Sequence, residues 1–167
     1  RALLFASHDL RGDRSIVLAA VAQNGHALAH ARRELRGDRD IVLTAVSQDG
    51  AALESAAAEL CNDREIVKAA VVKDGFALEF ASTSLRDDKE IVMAAVHQDS
   101  LALQYASLRL RSDREVVLLA VSSNGCALKY SCPELCADHG VVMSAVRQHG
   151  RALEFAAEKF VDDAMFV

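Results

Sequence analysis

An aspartate recurs every 25 residues along this chain without an insertion or deletion. A strict period of this length is the signature of a repeat architecture, in which each copy is one supersecondary unit. Counted from the first aspartate, the chain holds six full copies, residues 13–162, with a partial copy at each end. A valine and an Ala-Leu pair recur with it at fixed distances. The aspartates are Asp13, Asp38, Asp63, Asp88, Asp113, Asp138 and Asp163.

Each copy predicts two short helices. The first covers residues 13–23, with Asp13 as its N-cap and apolar residues spaced for one buried face. Glycines such as Gly25 follow an Asn or Asp, which predicts a C-terminal cap in the left-handed conformation. Ser100 replaces the glycine in one copy, so slight backbone strain is expected there.

The second helix is predicted to be interrupted. Its buried face carries Ala27, Leu28 and Leu35. Pro133 lacks a backbone donor and disfavours helix at the residue before it. We therefore expect two helical turns in every copy, then a break with a new cap, and then a short turn that ends at Leu35 or its equivalent.

Helices this short are marginal in isolation, so neighbouring copies must bury each other's apolar faces. The predicted fold is all-α, a right-handed-type α-solenoid of two-helix repeats that forms a single array over residues 1–167. Because the chain starts at Arg1 and both terminal copies are cut, we expect a fragment of a longer protein.

Residues 63–71 (DREIVKAAV) and 74–82 (DGFALEFAS) closely resemble the repeats known as domain of unknown function 4116. The resemblance extends over essentially the whole chain and implies the long tandem arrays of algae, dinoflagellates and some bacteria. It implies no catalytic or cofactor residues. The chain departs from the pattern at His30 and Ser55, which replace an aromatic residue, and at Cys132, which replaces a serine.

Composition excludes several classes of partner. A net charge of −5 argues against the basic surface that nucleic acid requires. No apolar run reaches the roughly 18 to 20 residues that span a bilayer. Peripheral association with a membrane complex stays open. Four cysteines are too few for a secreted disulfide framework, which favours a reducing compartment but leaves the organelle open, a plastid included.

Two groups of polar residues are candidate sites. The recurring Asp-Arg pairs, such as Asp13 and Arg14, predict a charged ladder of helix caps and salt bridges between copies. The cysteines Cys126, Cys132 and Cys136, with His139, do not have a usual zinc spacing, so we expect unligated thiols. No catalytic triad, phosphate loop or carboxylate pair is visible, so we expect no enzyme activity, metal or cofactor.

The predicted function is a scaffold for protein–protein interaction. The alternative is a structural accessory subunit of a large assembly, for example a photosynthetic complex in a plastid or an assembly in another organelle. Aromatic residues of the second helix form a stripe, which is either ordinary core or an exposed anchor. The predicted contact surface combines the variable position after each glycine with this stripe: His26, Phe76, Leu101 and Arg151, with Phe80, Tyr105 and Tyr130.

Overall fold

The computed structural model describes residues 2–157 and 160. Regular structure in this part of the chain is entirely helical and recurs with each 25-residue copy. Every full copy begins with a ten-residue α-helix, here called the main helix. The predicted all-α repeat fold is confirmed. The main helices are Arg14–Gln23, Arg39–Gln48, Arg64–Lys73, Lys89–Gln98, Arg114–Ser123 and His139–Gln148.

A six-residue 3₁₀-helix, here called the 3₁₀ segment, follows each main helix. The residue between them caps both helices. The N–H of Asn24 donates to the carbonyl of Ala20 at the end of the main helix, and the Asn24 side chain accepts from the N–H of His26 at the start of the 3₁₀ segment. The second helix of the repeat is therefore present with its two predicted turns. The 3₁₀ segments are Gly25–His30, Gly50–Ser55, Gly75–Phe80, Ser100–Tyr105, Gly125–Tyr130 and Gly150–Phe155, preceded by the shorter Ala2–Phe5.

A short closing turn ends each copy after a break in the helix. The predicted break is confirmed, but the turn begins at Leu35 and ends at Gly37, so the predicted end at Leu35 was wrong. Capping after the break is confirmed at Ser107, whose side chain accepts from the N–H of Leu110. The closing turns are Leu10–Gly12, Leu35–Gly37, Leu60–Asn62, Leu85–Asp87, Leu108–Arg111 and Pro133–Cys136.

The break releases one backbone donor that links adjacent copies. Arg32 donates its N–H to the carbonyl of Arg11 at 2.9 Å, and Cys132 donates to Arg111 at 3.1 Å. The same bond recurs from Ala57 to Arg36 at 2.9 Å. A proline can follow this donor but cannot replace it, which explains why Pro133 lies one residue after it.

The glycines do not adopt the predicted left-handed cap. No residue in the described part of the chain has a positive φ, so that prediction was wrong, and the strain expected at Ser100 has no basis. Gly25 and Gly50 are instead places where the next copy approaches closely. A Cβ on Gly50 would clash with the carbonyl oxygen of Ala70 and lie 2.8 Å from the Cβ of Asp74.

The chain forms two compact units, Arg1–Leu85 and Arg86–Val167. In the first unit, the main helix Arg39–Gln48 packs between those of the copies before and after it. In these packed helices Ile41 and Ile66 are fully buried. Neighbouring copies thus bury each other's aliphatic faces, as the short helices required.

The second unit is built in the same way. Its main helices Lys89–Gln98, Arg114–Ser123 and His139–Gln148 pack in sequence order, with Val116 and Val141 fully buried between them. The predicted copy boundary at residue 162 and the last recurring aspartate, Asp163, lie outside the described residues. Among the helices that the structure describes, none has the length and hydropathy needed to cross a membrane.

Candidate functional site

The recurring aspartates are junction points between copies of the first unit. Asp38 caps its helix by accepting from the backbone N–H groups of Asp40 and Ile41, at 3.0 and 3.2 Å. Its other carboxylate oxygen accepts from Nε of Arg14 in the preceding copy, at 2.8 Å. Asp63 receives Arg39 in the same way at 2.9 Å. Each of these carboxylates therefore caps the start of its own main helix and forms a salt bridge with the arginine of the preceding copy.

The second unit repeats this arrangement with a lysine in one place. Lys89 Nζ lies 2.8 Å from Asp113 and 2.8 Å from Glu115, and Arg114 lies 3.4 Å from Asp138. The predicted ladder of caps and salt bridges is confirmed. The hydrogen bond from Lys89 holds the pKa of Asp113 below its ordinary value, as Arg14 does for Asp38. These carboxylates are ionised structural groups, because their caps and cationic partners occupy their oxygens.

The 3₁₀ segments present a row of side chains on their outer side. Three residues make one turn, so the residue after each glycine lies above the residue three places later. Arg151 and Glu154 show this directly, since Nε of Arg151 lies 3.1 Å from the Glu154 carboxylate. We call these side chains the outer row. In the first unit it consists of His26, Ala29, Ala51, Glu54, Phe76 and Glu79, and in the second of Leu101, Gln104, Cys126, Lys129, Arg151 and Glu154, all exposed or half-buried.

The predicted contact residues fall into two structural classes. His26, Phe76, Leu101 and Arg151 lie on the outer row. The second residue of each row pair lies on the second-helix surface but was not singled out from sequence, although its charge varies between copies, from Glu54 to Gln104 to Lys129. This variation in charge at one repeat position is the sequence signal that could have identified these residues.

Aromatic side chains end several 3₁₀ segments. Phe80 in the first unit and Tyr105 and Tyr130 in the second are half-buried, so each is both packed and accessible. The aromatic stripe is therefore neither fully buried core nor a fully exposed anchor. Lys129 of the outer row lies over the Tyr130 ring, with its Nζ 4.6 Å from the ring centroid. Lys129 of the outer row and Tyr130 of the aromatic stripe thus share one surface.

Two of the cysteines, Cys61 and Cys136, share a repeat position where the side chain bonds a backbone carbonyl. Cys136 Sγ donates to the carbonyl of Leu128 at 3.6 Å, and Cys61 Sγ donates to that of Leu53 at 3.9 Å. Arg111 fills the same repeat position and donates to a carbonyl through Nε. Burial raises the pKa of the Cys61 thiol, which disfavours a reactive thiolate. Among the described residues, no three His, Cys, Asp or Glu side chains are placed to hold a metal ion.

Comparison with known proteins identifies the repeat. The family model described as domain of unknown function, DUF4116, matches residues 1–36, 38–86, 63–111, 88–136 and 113–161. No curated protein and no solved structure matches the chain. The overlapping matches begin at successive copies from residue 38 onwards and together span nearly the whole sequence. The chain is a tandem repeat protein that belongs to the DUF4116 family.

Proposed function

We propose that this chain is a non-enzymatic scaffold that binds a protein partner through the outer row and the adjoining aromatic side chains. One observation carries the proposal: the backbone repeats closely while the row side chains change. The capping residue before the 3₁₀ segment has φ −154° at Asn24 and −143° at Asp99. On this nearly constant backbone, the next row position holds histidine in one copy and leucine in another.

Variation on a fixed backbone suits recognition by a repeat protein, because contacts can change without a change in packing. The half-buried aromatic residues supply rigid contact area at low conformational cost. The first unit adds the exposed carboxylates Glu54 and Glu79, which favour a basic patch on the partner. In the second unit, Lys129 and Glu154 give the row both signs of charge.

The remaining charged groups support a structural role. The ladder carboxylates are engaged in helix caps and in pairs with the preceding copy, as at Asp38 and Asp113. The net charge of −5 disfavours a phosphate backbone as ligand. These two observations favour a protein partner over a catalytic or nucleic-acid-binding role.

The proposal is tested by capture with matched charge variants. The outer-row variant is Glu54→Lys with Glu79→Lys. The control is Glu34→Lys with Glu59→Lys, which makes the same charge change at exposed residues of the closing-turn region. We expect at least one protein of a native extract to bind the wild type and the control, and to bind the row variant about tenfold less, because complementary charge is reversed.

Quantitative mass spectrometry of the retained proteins gives the readout, with Phe76→Ala as a third, apolar test of the row. Equal retention by the row variant and the control would exclude the outer row as the contact surface. Co-migration of the chain with one stable multi-subunit complex would instead favour an accessory subunit.

A further inference from the structure

Side chains bridge one junction between closing turns of the first unit and leave the junction before it open. Ser82 and Ser84 each donate a hydroxyl hydrogen bond to Oδ1 of Asn62, at 2.7 Å. Gly37 and Ala57 take the places of Asn62 and Ser82 one copy earlier, so this bridge cannot form there. A cavity of about 630 Å³ lies between the two turns at that junction.

This cavity continues into a second one. Described residues of further copies lie on both sides of it, so its opening is a property of the junction between two neighbouring copies. The second cavity, of about 410 Å³, lies at the preceding junction, and Arg33 and Glu34 line both cavities. We call the two cavities together the closing-turn groove.

The closing-turn groove is rich in arginine. The arginines that line it are Arg11, Arg32, Arg33 and Arg36. Of the described residues that line the groove, only Glu34 and Glu59 are acidic, although the whole chain has a net charge of −5. The groove is thus a cationic surface on an acidic protein.

Two of the four arginines are held by neighbouring groups. Nε of Arg11 donates to the carbonyl of Ala6 at 3.1 Å, and Arg32 lies 3.0 Å from the Asp9 carboxylate. These two side chains are therefore part of the groove wall, with their positions fixed by the chain itself.

The other two arginines lack such partners. Nε of Arg36 is buried without a hydrogen-bond acceptor among the described residues, whereas Arg11 and Arg111 at the same repeat position donate to backbone carbonyls. Arg33 is exposed, and no described carboxylate forms a salt bridge with it. Two guanidinium groups of the groove are thus without an acceptor.

We propose that the closing-turn groove binds a short acidic segment of a protein partner. Carboxylates match the planar guanidinium group, so aspartate or glutamate side chains would pair with Arg33 and Arg36. A long polyanion fits less well, because the chain is acidic and none of the described residues that line the groove is a Phe, Tyr or Trp on which a base could stack. The surface is separate from Glu54 and Glu79 of the outer row.

Fluorescence anisotropy of a labelled hexaglutamate peptide, titrated with the full chain at low ionic strength, tests the proposal. Binding should weaken as salt is added, and a hexaglutamine peptide should not bind. Arg33→Gln with Arg36→Gln should weaken binding by about tenfold or more, because both free guanidinium groups are removed. The control is Lys73→Gln with Arg147→Gln, the same charge change at exposed residues outside the groove, and it should change binding by less than about twofold.

Glu34→Gln supplies a gain that a folding defect cannot imitate. It removes the carboxylate that lines both cavities, so it should tighten binding by about twofold or more. A wild type that does not bind the peptide overturns the proposal, as does a loss in the control pair equal to that in the groove pair. Binding of inorganic phosphate without binding of the peptide would overturn the acidic segment as the occupant.

Discussion

Ile41→Ala should lower the free energy of unfolding by about 2–5 kcal/mol, whereas Ile16→Ala should lower it by about 1 kcal/mol. Both isoleucines occupy the same position of the repeat. Ile41 is fully buried in a main helix that packs against the preceding one, and Ile16 is 37% exposed. The substitution removes the same atoms in both cases. The difference therefore reports how much the neighbouring copy contributes to burial.

Urea unfolding followed by circular dichroism measures both losses. Equal losses at the two positions would show that stability resides inside each copy rather than between copies.

Gly50→Ala should destabilise the first unit by about 1–3 kcal/mol, because the added Cβ overpacks a closed contact. That atom would clash with the backbone oxygen of Ala70, which cannot swing aside as a flexible side chain would. Ser100 fills the equivalent position in another copy, so we expect Gly50→Ala to cost stability through local repacking without abolishing the fold.

Gly37→Ala is the matched control for Gly50→Ala. A Cβ on Gly37 has only the Cβ of Ala57 nearby, at 3.7 Å, which is ordinary contact. Gly37 lacks a positive φ, so alanine there should be neutral or stabilise by about 0.5 kcal/mol through the unfolded chain. Thermal melting of both variants gives the comparison. A neutral Gly50→Ala would mean that the close approach does not constrain the packing.

The period and the N-caps of the main helices could be predicted from sequence because they depend on local chemistry. An aspartate before an apolar stripe, such as Asp38, has one favourable role at a helix start. The role of Gly50 could not be predicted in the same way. Glycine permits either a positive φ or a close approach, and the choice between them depends on the neighbouring copy. The predicted left-handed cap was the local explanation, and the structure shows the tertiary one.

The candidate surface was only partly predictable for a related reason. His26 and Arg151 stood out because their repeat position varies between copies. Their row partners, Ala29 and Glu154, became evident only when the second helix proved to be a 3₁₀-helix with three residues per turn. The half-exposure of Tyr105 and Tyr130 is likewise a packing result that spacing cannot supply.

The central claim is that each copy is stabilised by its immediate neighbours in the sequence. Deleting residues 39–63 tests it most directly, because this removes one 25-residue copy and joins Asp38 to Arg64 in the same local sequence. The shortened chain should keep its helical signal per residue and unfold in urea with a smaller slope, since less surface is exposed. Loss of the helical signal would contradict the claim and indicate a core shared by copies distant in sequence.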